Sequence, residues 1–274
     1  MPIIERDWTN GLDYVHDGSG HNRYLAAFPT QNRAAVGLRR FADFRQVVPR
    51  SAWKDESLRP LGTTRWDQNG HGSCVGHGSG KAFMYAWLQS GQTRQEFSPT
   101  FLYGLINRGR DQGAIVGDAL VALQKTGIAL MSQVPETMIY KSQFPSEALL
   151  TAQRFRIDPA QSFDCPSFDE IASAVLSNDP VSFGVEIGDA FEPDGQGIVP
   201  DQRRGGGGHC MCAMGLKQIN GKWYLEVENS WGPRWGQDGF CYLPESYFQS
   251  GDNWSLRAAL DDPNDPNNPP VVKE

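Results

Sequence analysis

The hydrophobic pattern changes character near the middle of this 274-residue chain, and that change constrains the fold more than any other feature. In the first half the apolar residues recur at helical spacing; later they gather into short β-rich runs broken by Gly, Pro and Asn. Cys74 to about Leu88 carries Val75, Ala82, Phe83, Ala86 and Trp87. Gly76, Gly78 and Gly80 weaken that helix by about 1 kcal/mol each relative to Ala, so it needs tertiary packing. Ser98-Pro99 is an N-cap followed by proline at the first helical position, and Phe101, Leu102, Leu105 and Ile106 then share a face. A third helix is predicted over Asp118 to Lys125, with Ala119, Leu120 and Leu123 as its stripe and Gly127 as its stop. Ser167-Phe-Asp-Glu170 has the capping-box pattern of a short helix. Strands are predicted at Val181 to Ile187, Cys210 to Leu216, Trp223 to Glu228 and Gly239 to Leu243. A helical half followed by a strand-rich half predicts an α+β fold in two lobes, and a cleft between lobes is a common binding place.

The flanks read differently. Residues 1–44 scatter Trp8, Tyr14, Tyr24 and Phe28 among polar residues without a strong period, as an extension or regulatory segment would. Asp261 to Pro270 is rich in Pro, Asn and Asp and predicts a flexible tail over 261–274. The net charge of −7 gives no electrostatic reason to expect nucleic acid or an anionic membrane as partner. No segment approaches the roughly 20 apolar residues of a membrane helix. The first eight residues lack the basic start and apolar run of a secretory signal. The expected location is therefore cytoplasmic, or associated with a virion or host cell. Five cysteines at irregular spacing (Cys74, Cys165, Cys210, Cys212 and Cys241) do not form a disulfide framework.

Three short strings carry chemistry. Gln68-Asn-Gly-His-Gly-Ser-Cys74 places a thiol where the long helix starts, and a helix N-terminus favours thiolate. The Cys74 N–H and the Gln68 amide could face one developing oxyanion. His209 follows Gly205-Gly-Gly-Gly208 and opens an apolar run, so a strand would hold it beside an open approach. Asn229 ends the next strand in Asn229-Ser-Trp-Gly232, and an amide oxygen there would fix the imidazole tautomer without neutralising its cation. Other readings stand beside these. His71 and His77 flank Cys74 as alternative bases, Cys210 and Cys212 beside His209 could suggest a metal site, and Trp235 reads as a core aromatic.

These strings resemble the papain-like cysteine peptidases over roughly Val47 to Leu260, with Asn229-Ser-Trp-Gly-Pro-Arg-Trp-Gly-Gln-Asp-Gly239 the most specific part. The resemblance implies a peptidase domain over 45–260, with a helical lobe at about 66–155, a β-barrel-like antiparallel lobe at about 156–260 and the active site between them. It implies Cys74 as nucleophile, His209 as general base and acid, Asn229 as orienting residue and Gln68 as oxyanion donor. It implies that Trp231 shields the Asn–His bond, that Gly113 and Ala114 bind an extended polypeptide backbone, and that Ile115 and Val116 line an apolar pocket; Gly208 would border the cleft. No metal or organic cofactor is implied. The chain departs from the family at Val75 (usually aromatic), at His71 (often a disulfide cysteine) and at Gly208 (often acidic), and its N-terminal segment is short for an inhibitory propeptide. That segment is nonetheless expected to lie near the cleft and restrain it. The rival expectations are a catalytically silent module that binds peptides or builds a particle, and amide chemistry on a non-protein substrate.

Overall fold

The computed structural model describes residues 38–159, 162–188, 191–201 and 207–248, together with the backbone of short strands at 3–7, 12–16, 22–25, 27–28 and 257–260. The tail over 261–274 and Gly205–Gly206 lie outside the described residues.

Residues 1–44, where no period was evident, contain β1 (Ile3–Asp7), β2 (Leu12–His16), β3 (Asn22–Leu25), β4 (Ala27–Phe28), β5 (Arg39–Arg40) and the single turn α1 (Phe41–Phe44). β1, β2 and β3 form an antiparallel sheet of their own. The strand β6 (Glu56–Ser57) and the helix α2 (Cys74–Gln89) follow. Then come α3 (Pro99–Ile106), β7 (Ala114–Ile115), α4 (Val116–Lys125) and α5 (Ser146–Ala152). Ser98 caps α3 as its sequence requires, its hydroxyl accepting from the Phe101 N–H. Helix α4 begins two residues earlier than its charged start at Asp118 suggested, because Val116 and Gly117 are already buried in the core.

The second lobe holds β8 (Ser162–Asp164), α6 (Phe168–Leu176), β9 (Val181–Glu186), β10 (Gly208–Ile219), β11 (Lys222–Glu228), β12 (Phe240–Pro244) and β13 (Arg257–Leu260). The capping box of α6 is formed on both sides, Ser167 accepting from Glu170 N–H and Glu170 from Ser167 N–H. The strands run β12-β11-β10-β9-β13-β8-β5 across the sheet, with β6 also paired to β10. All pairings in it are antiparallel except β5 with β8. The architecture is the expected α+β one, and among the described residues the sheet is open, with no closed barrel. No helix among the described residues is long and apolar enough to cross a membrane.

Strand β10 is the seam. Its side chains alternate, as a strand's must. Cys210, Cys212 and Met214 join the helical-lobe core around α2, α3 and α4. Met211 and Ala213 join the second core, with Ile171, Val181, Leu225 and Val227. Helix α2 lies across β10 with almost its whole length buried. Its glycines mark where neighbours press closest. A Cβ on Gly76 would sit 2.4 Å from the Pro99 carbonyl, and one on Gly78 would sit 2.8 Å from Cys210 Sγ and 3.0 Å from the Met211 nitrogen. The helix thus gives up propensity at these positions for backbone-level contact with α3 and with the seam strand.

Gly78→Ala should therefore destabilise the fold by about 1–3 kcal/mol through overpacking, although Ala is the better helix former. Gly80→Ala should be tolerated, because its Cβ would meet the flexible tip of Ile128 at 3.3 Å. Urea unfolding of the two variants checks the contrast.

Candidate active site

The α2–β10 crossing brings two of the three strings together. Cys74 is the first residue of α2, about 6 Å along the axis from Gly78. His209 is one residue, about 3.3 Å, before Cys210 on β10. Because Gly78 touches Cys210, the thiol and the imidazole come from adjoining stretches of one contact. Both residues are 0% exposed. As an N1 residue, Cys74 has no carbonyl four positions back within the helix to receive its N–H.

The pairing of β10 with β11 carries the chain directly into Asn229. His209 Nε2 lies 2.7 Å from Asn229 Oδ1, and the Ser230 N–H donates to the same oxygen at 2.7 Å. A backbone N–H identifies that atom as the carbonyl oxygen, which can only accept, so the hydrogen-bonded Nε2 carries the proton. In the neutral ring Nδ1 is then the basic nitrogen. The Trp231 indole stacks on the imidazole with centroids 4.7 Å apart, and Phe191 closes its edge at 6.4 Å. Trp235 stacks on Phe191. These rings keep the His–Asn bond away from water, where competition would weaken it.

Gln68 sits in a turn stitched to the same segment. Gln68 N–H donates to the Ser230 carbonyl and Gly232 N–H to the Trp66 carbonyl, at 2.8 and 3.0 Å. Gly232 is at φ +73°, and a Cβ there would lie 2.8 Å from Asp67 Oδ2, so glycine is required. The Gln68 amide is held at both ends: Ser230 Oγ donates to its Oε1 at 2.8 Å and its Nε2 donates to the His71 carbonyl at 2.7 Å.

The residues expected to bind a substrate backbone fall just before and at the start of α4. Gly113 is at φ +89° and its N–H donates to Tyr103 Oη at 3.2 Å. Ala114 and Ile115 form β7, which pairs in parallel with β4, Ala27 opposite Ala114 and Phe28 opposite Ile115. Val116 is fully buried in the helical-lobe core, and Ile115 is partly exposed. Gly208 begins β10 opposite Glu186.

The competing residues are placed elsewhere. His77 is fully buried; burial lowers its pKa to about 4, so it is neutral near pH 7, and Nδ1 lies 2.9 Å from the Ser73 carbonyl. His71 is bound to Asp111 at 2.8 Å. Cys210 and Cys212 are core thiols, and burial pushes the thiols of Cys210, Cys212 and Cys241 up, which keeps them protonated. Trp235 packs in the second core.

Sequence reasoning missed the buried charges beneath Asn229. Glu228, on the preceding residue, accepts from Tyr85 Oη at 2.6 Å and Thr63 Oγ1 at 2.9 Å, and Lys81 Nζ lies 2.9 Å from its other oxygen. Lys81 also sits over the Trp66 ring, 3.9 Å from its centroid, and donates to the Thr64 carbonyl. Burial lowers the Lys81 pKa while Glu228 opposes the change. A signal existed: a lysine inside a stretch of Gly, Ala and Phe, and a glutamate closing an apolar strand.

Comparison with known proteins gives a consistent outcome. A family model for papain family cysteine proteases matches residues 53–251. An uncharacterized peptidase C1-like protein of Acanthamoeba polyphaga mimivirus is 26% identical over 239 residues, covering 76% of this chain and 76% of that one. A cysteine proteinase of Brassica napus is 39% identical over 82 residues, 29% of this chain and 25% of the relative. Among solved structures, xylellain, a cysteine protease from Xylella fastidiosa, shares the fold with a TM-score of 0.65 at 17% identity over 86% of this chain and 91% of that one. Procathepsin B from Trypanosoma congolense does so with a TM-score of 0.66 at 15% identity, over 86% of this chain and 85% of that one.

Removing one member of a buried ion pair leaves an uncompensated charge, so Lys81→Met should cost about 3–5 kcal/mol in chemical denaturation. Adding Glu228→Gln should recover much of that loss, because a neutral amide can still accept from Tyr85 and Thr63.

Proposed function

Because this chain belongs to the papain family of cysteine proteases, we propose that it hydrolyses peptide bonds with Cys74, His209, Asn229 and Gln68 in the roles their positions suggest. The observation that carries this reading is the 2.7 Å contact of His209 Nε2 with Asn229 Oδ1, on an oxygen whose identity the Ser230 N–H fixes. It leaves Nδ1 as the nitrogen that exchanges protons with the Cys74 thiol.

In this mechanism Nδ1 takes the thiol proton, and the thiolate is stabilised by the imidazolium and the positive end of α2. The sulfur attacks the scissile carbonyl of an extended polypeptide. The oxyanion accepts from the Cys74 N–H and from the Gln68 amide. Nδ1–H protonates the leaving amine, which departs and leaves a thioester. Nδ1 then deprotonates a water that attacks the thioester, releasing the acid and restoring the thiol. Asn229 keeps the ring oriented through both transfers, under Trp231. Gly113 and Ala114 hold the substrate backbone, with Ile115 and Gly208 along the cleft and Val116 behind them in the core. The peptidase unit in this reading is 45–260.

The same reading makes residues 1–44 a restraint. Its support is the parallel seating of Ala27–Phe28 on Ala114–Ile115, the edge assigned to substrate, together with the full burial of Cys74 and His209. The backbone of β4 also comes within 8 Å of β10.

Cys74→Ala should abolish peptide turnover and labelling by a thiol-directed epoxide; a fully active variant would overturn the nucleophile assignment. Gln68→Ala should lower kcat by about 10²–10³. Deleting residues 1–40 should raise kcat/KM on a short peptide, and unchanged kinetics in a folded truncation would count against the restraint.

A further inference from the structure

We propose that Asp111 and His71 are positioning residues for this reaction, a carboxylate–imidazole clasp that locks the turn aiming Gln68 to the Gly113–Ala114 edge. The inference rests on the mechanism above, which assigns Gln68 to the oxyanion and Gly113–Ala114 to the substrate backbone.

Asp111 lies between α3 and β7, just past a turn with Arg108 at φ 55° and Gly109 at φ 75°. Its Oδ2 meets His71 Nδ1 at 2.8 Å. Its Oδ1 accepts the Gly72 N–H at 2.8 Å and the Tyr103 hydroxyl at 2.7 Å. Tyr103 Oη in turn accepts the Gly113 N–H. On the other side, the His71 carbonyl receives Gln68 Nε2, and the His71 N–H donates to the Gln68 carbonyl at 2.9 Å. One carboxylate therefore joins the oxyanion amide, the backbone two residues before Cys74 and the substrate edge. A carboxylate accepting three bonds is a rigid node, and a bond to a charged imidazole is roughly twice as strong as a neutral one.

The pair responds to pH. The hydrogen bond that His71 donates to Asp111 raises the His71 pKa above its usual 6.5, against an opposing effect of burial. Burial tends to raise Asp111, but the bonds from His71, Tyr103 and Gly72 outweigh it and hold the carboxyl below its usual 3.8. The charged clasp thus persists from above the lowered Asp111 pKa up to the raised His71 pKa, and weakens as pH rises through the latter. Of the other groups facing it, Tyr103 on α3 stays a neutral donor and buried His77 on α2 is uncharged near neutrality. Arg108 is exposed and paired with Asp118, and Arg110 is exposed.

The test uses the full chain and its Asp111→Asn and His71→Gln variants. A fluorogenic peptide reports kcat and KM across pH, iodoacetamide reports thiol reactivity at Cys74, and NMR follows the His71 ring. Each variant should lose about tenfold in kcat, since a mis-aimed oxyanion donor costs less than a deleted one. KM should change less, and the double variant should lose little more than either single one. Alkylation of Cys74 should be nearly unaffected, and His71 should titrate closer to 6.5 in Asp111→Asn. Folded variants with wild-type kcat and pH profile, while Cys74 still alkylates normally, would overturn the clasp and leave the mechanism standing. A wild-type chain whose Cys74 resists alkylation and epoxide labelling after release of residues 1–40 would instead overturn the mechanism, and the positioning role with it.

Discussion

A helix and a strand approach to backbone contact only where no side chain stands between them, and the contact of α2 with β10 at Gly78 and Cys210 meets that condition. The rest of the site follows from it. The contact sets the start of α2, where Cys74 lies, against the start of β10, where His209 lies. The antiparallel partner of β10 then ends at Asn229, beside the ring. A side chain at Gly78 would lever α2 and β10 apart close to Cys74 and His209. Gly78, which looks like a weakness in an isolated helix, is the geometric condition for this contact between the lobes.

Electrostatics sorts the groups that this contact brings together. Burial keeps His77 neutral and holds the thiols of Cys210, Cys212 and Cys241 in their protonated forms. Lys81 and Glu228 pair with one another next to Asn229, with Tyr85 and Thr63 completing the carboxylate's bonds. His71 is paired to Asp111 at the rim. The titratable groups around Cys74 and His209 named here are thus each buried neutral, paired or protonated.

How much of this was legible in advance depended on the range of the interaction. Ser98-Pro99 and Ser167 with Glu170 announced helix starts because a cap bonds to residues within three positions, and both caps are formed. Strands β9, β10, β11 and β12 were visible as apolar runs because burial on both faces leaves little polar interruption. The start of α4 was missed by two residues because Val116 is recruited by the core rather than by a local cap. β1, β2 and β3 were missed because short strands that pair mainly with one another carry no long apolar run. The candidates Gln68, Cys74, His209 and Asn229 could be picked out from their strings, but the bonds made by Glu228, Lys81 and Asp111 could not. Their partners lie 143 and 40 positions away along the chain for the Tyr85–Glu228 and His71–Asp111 bonds, so a local pattern can at most mark a charge in apolar company, as at Lys81 and Glu228, and never its partner.

The amino-acid order by itself determined the class of the fold and the capped starts of α3 and α6, and it singled out the candidate thiol, imidazole and amides. Each of those depends on residues within a turn or a strand of one another, or on a string specific enough to resemble a family. Tertiary structure alone decided which nitrogen of His209 faces Asn229, that β4 lies on β7, and that Asp111 ties the Gln68 turn to the Gly113 edge. These are questions of distance between segments far apart in the chain, and distance is created only when the two lobes pack around β10.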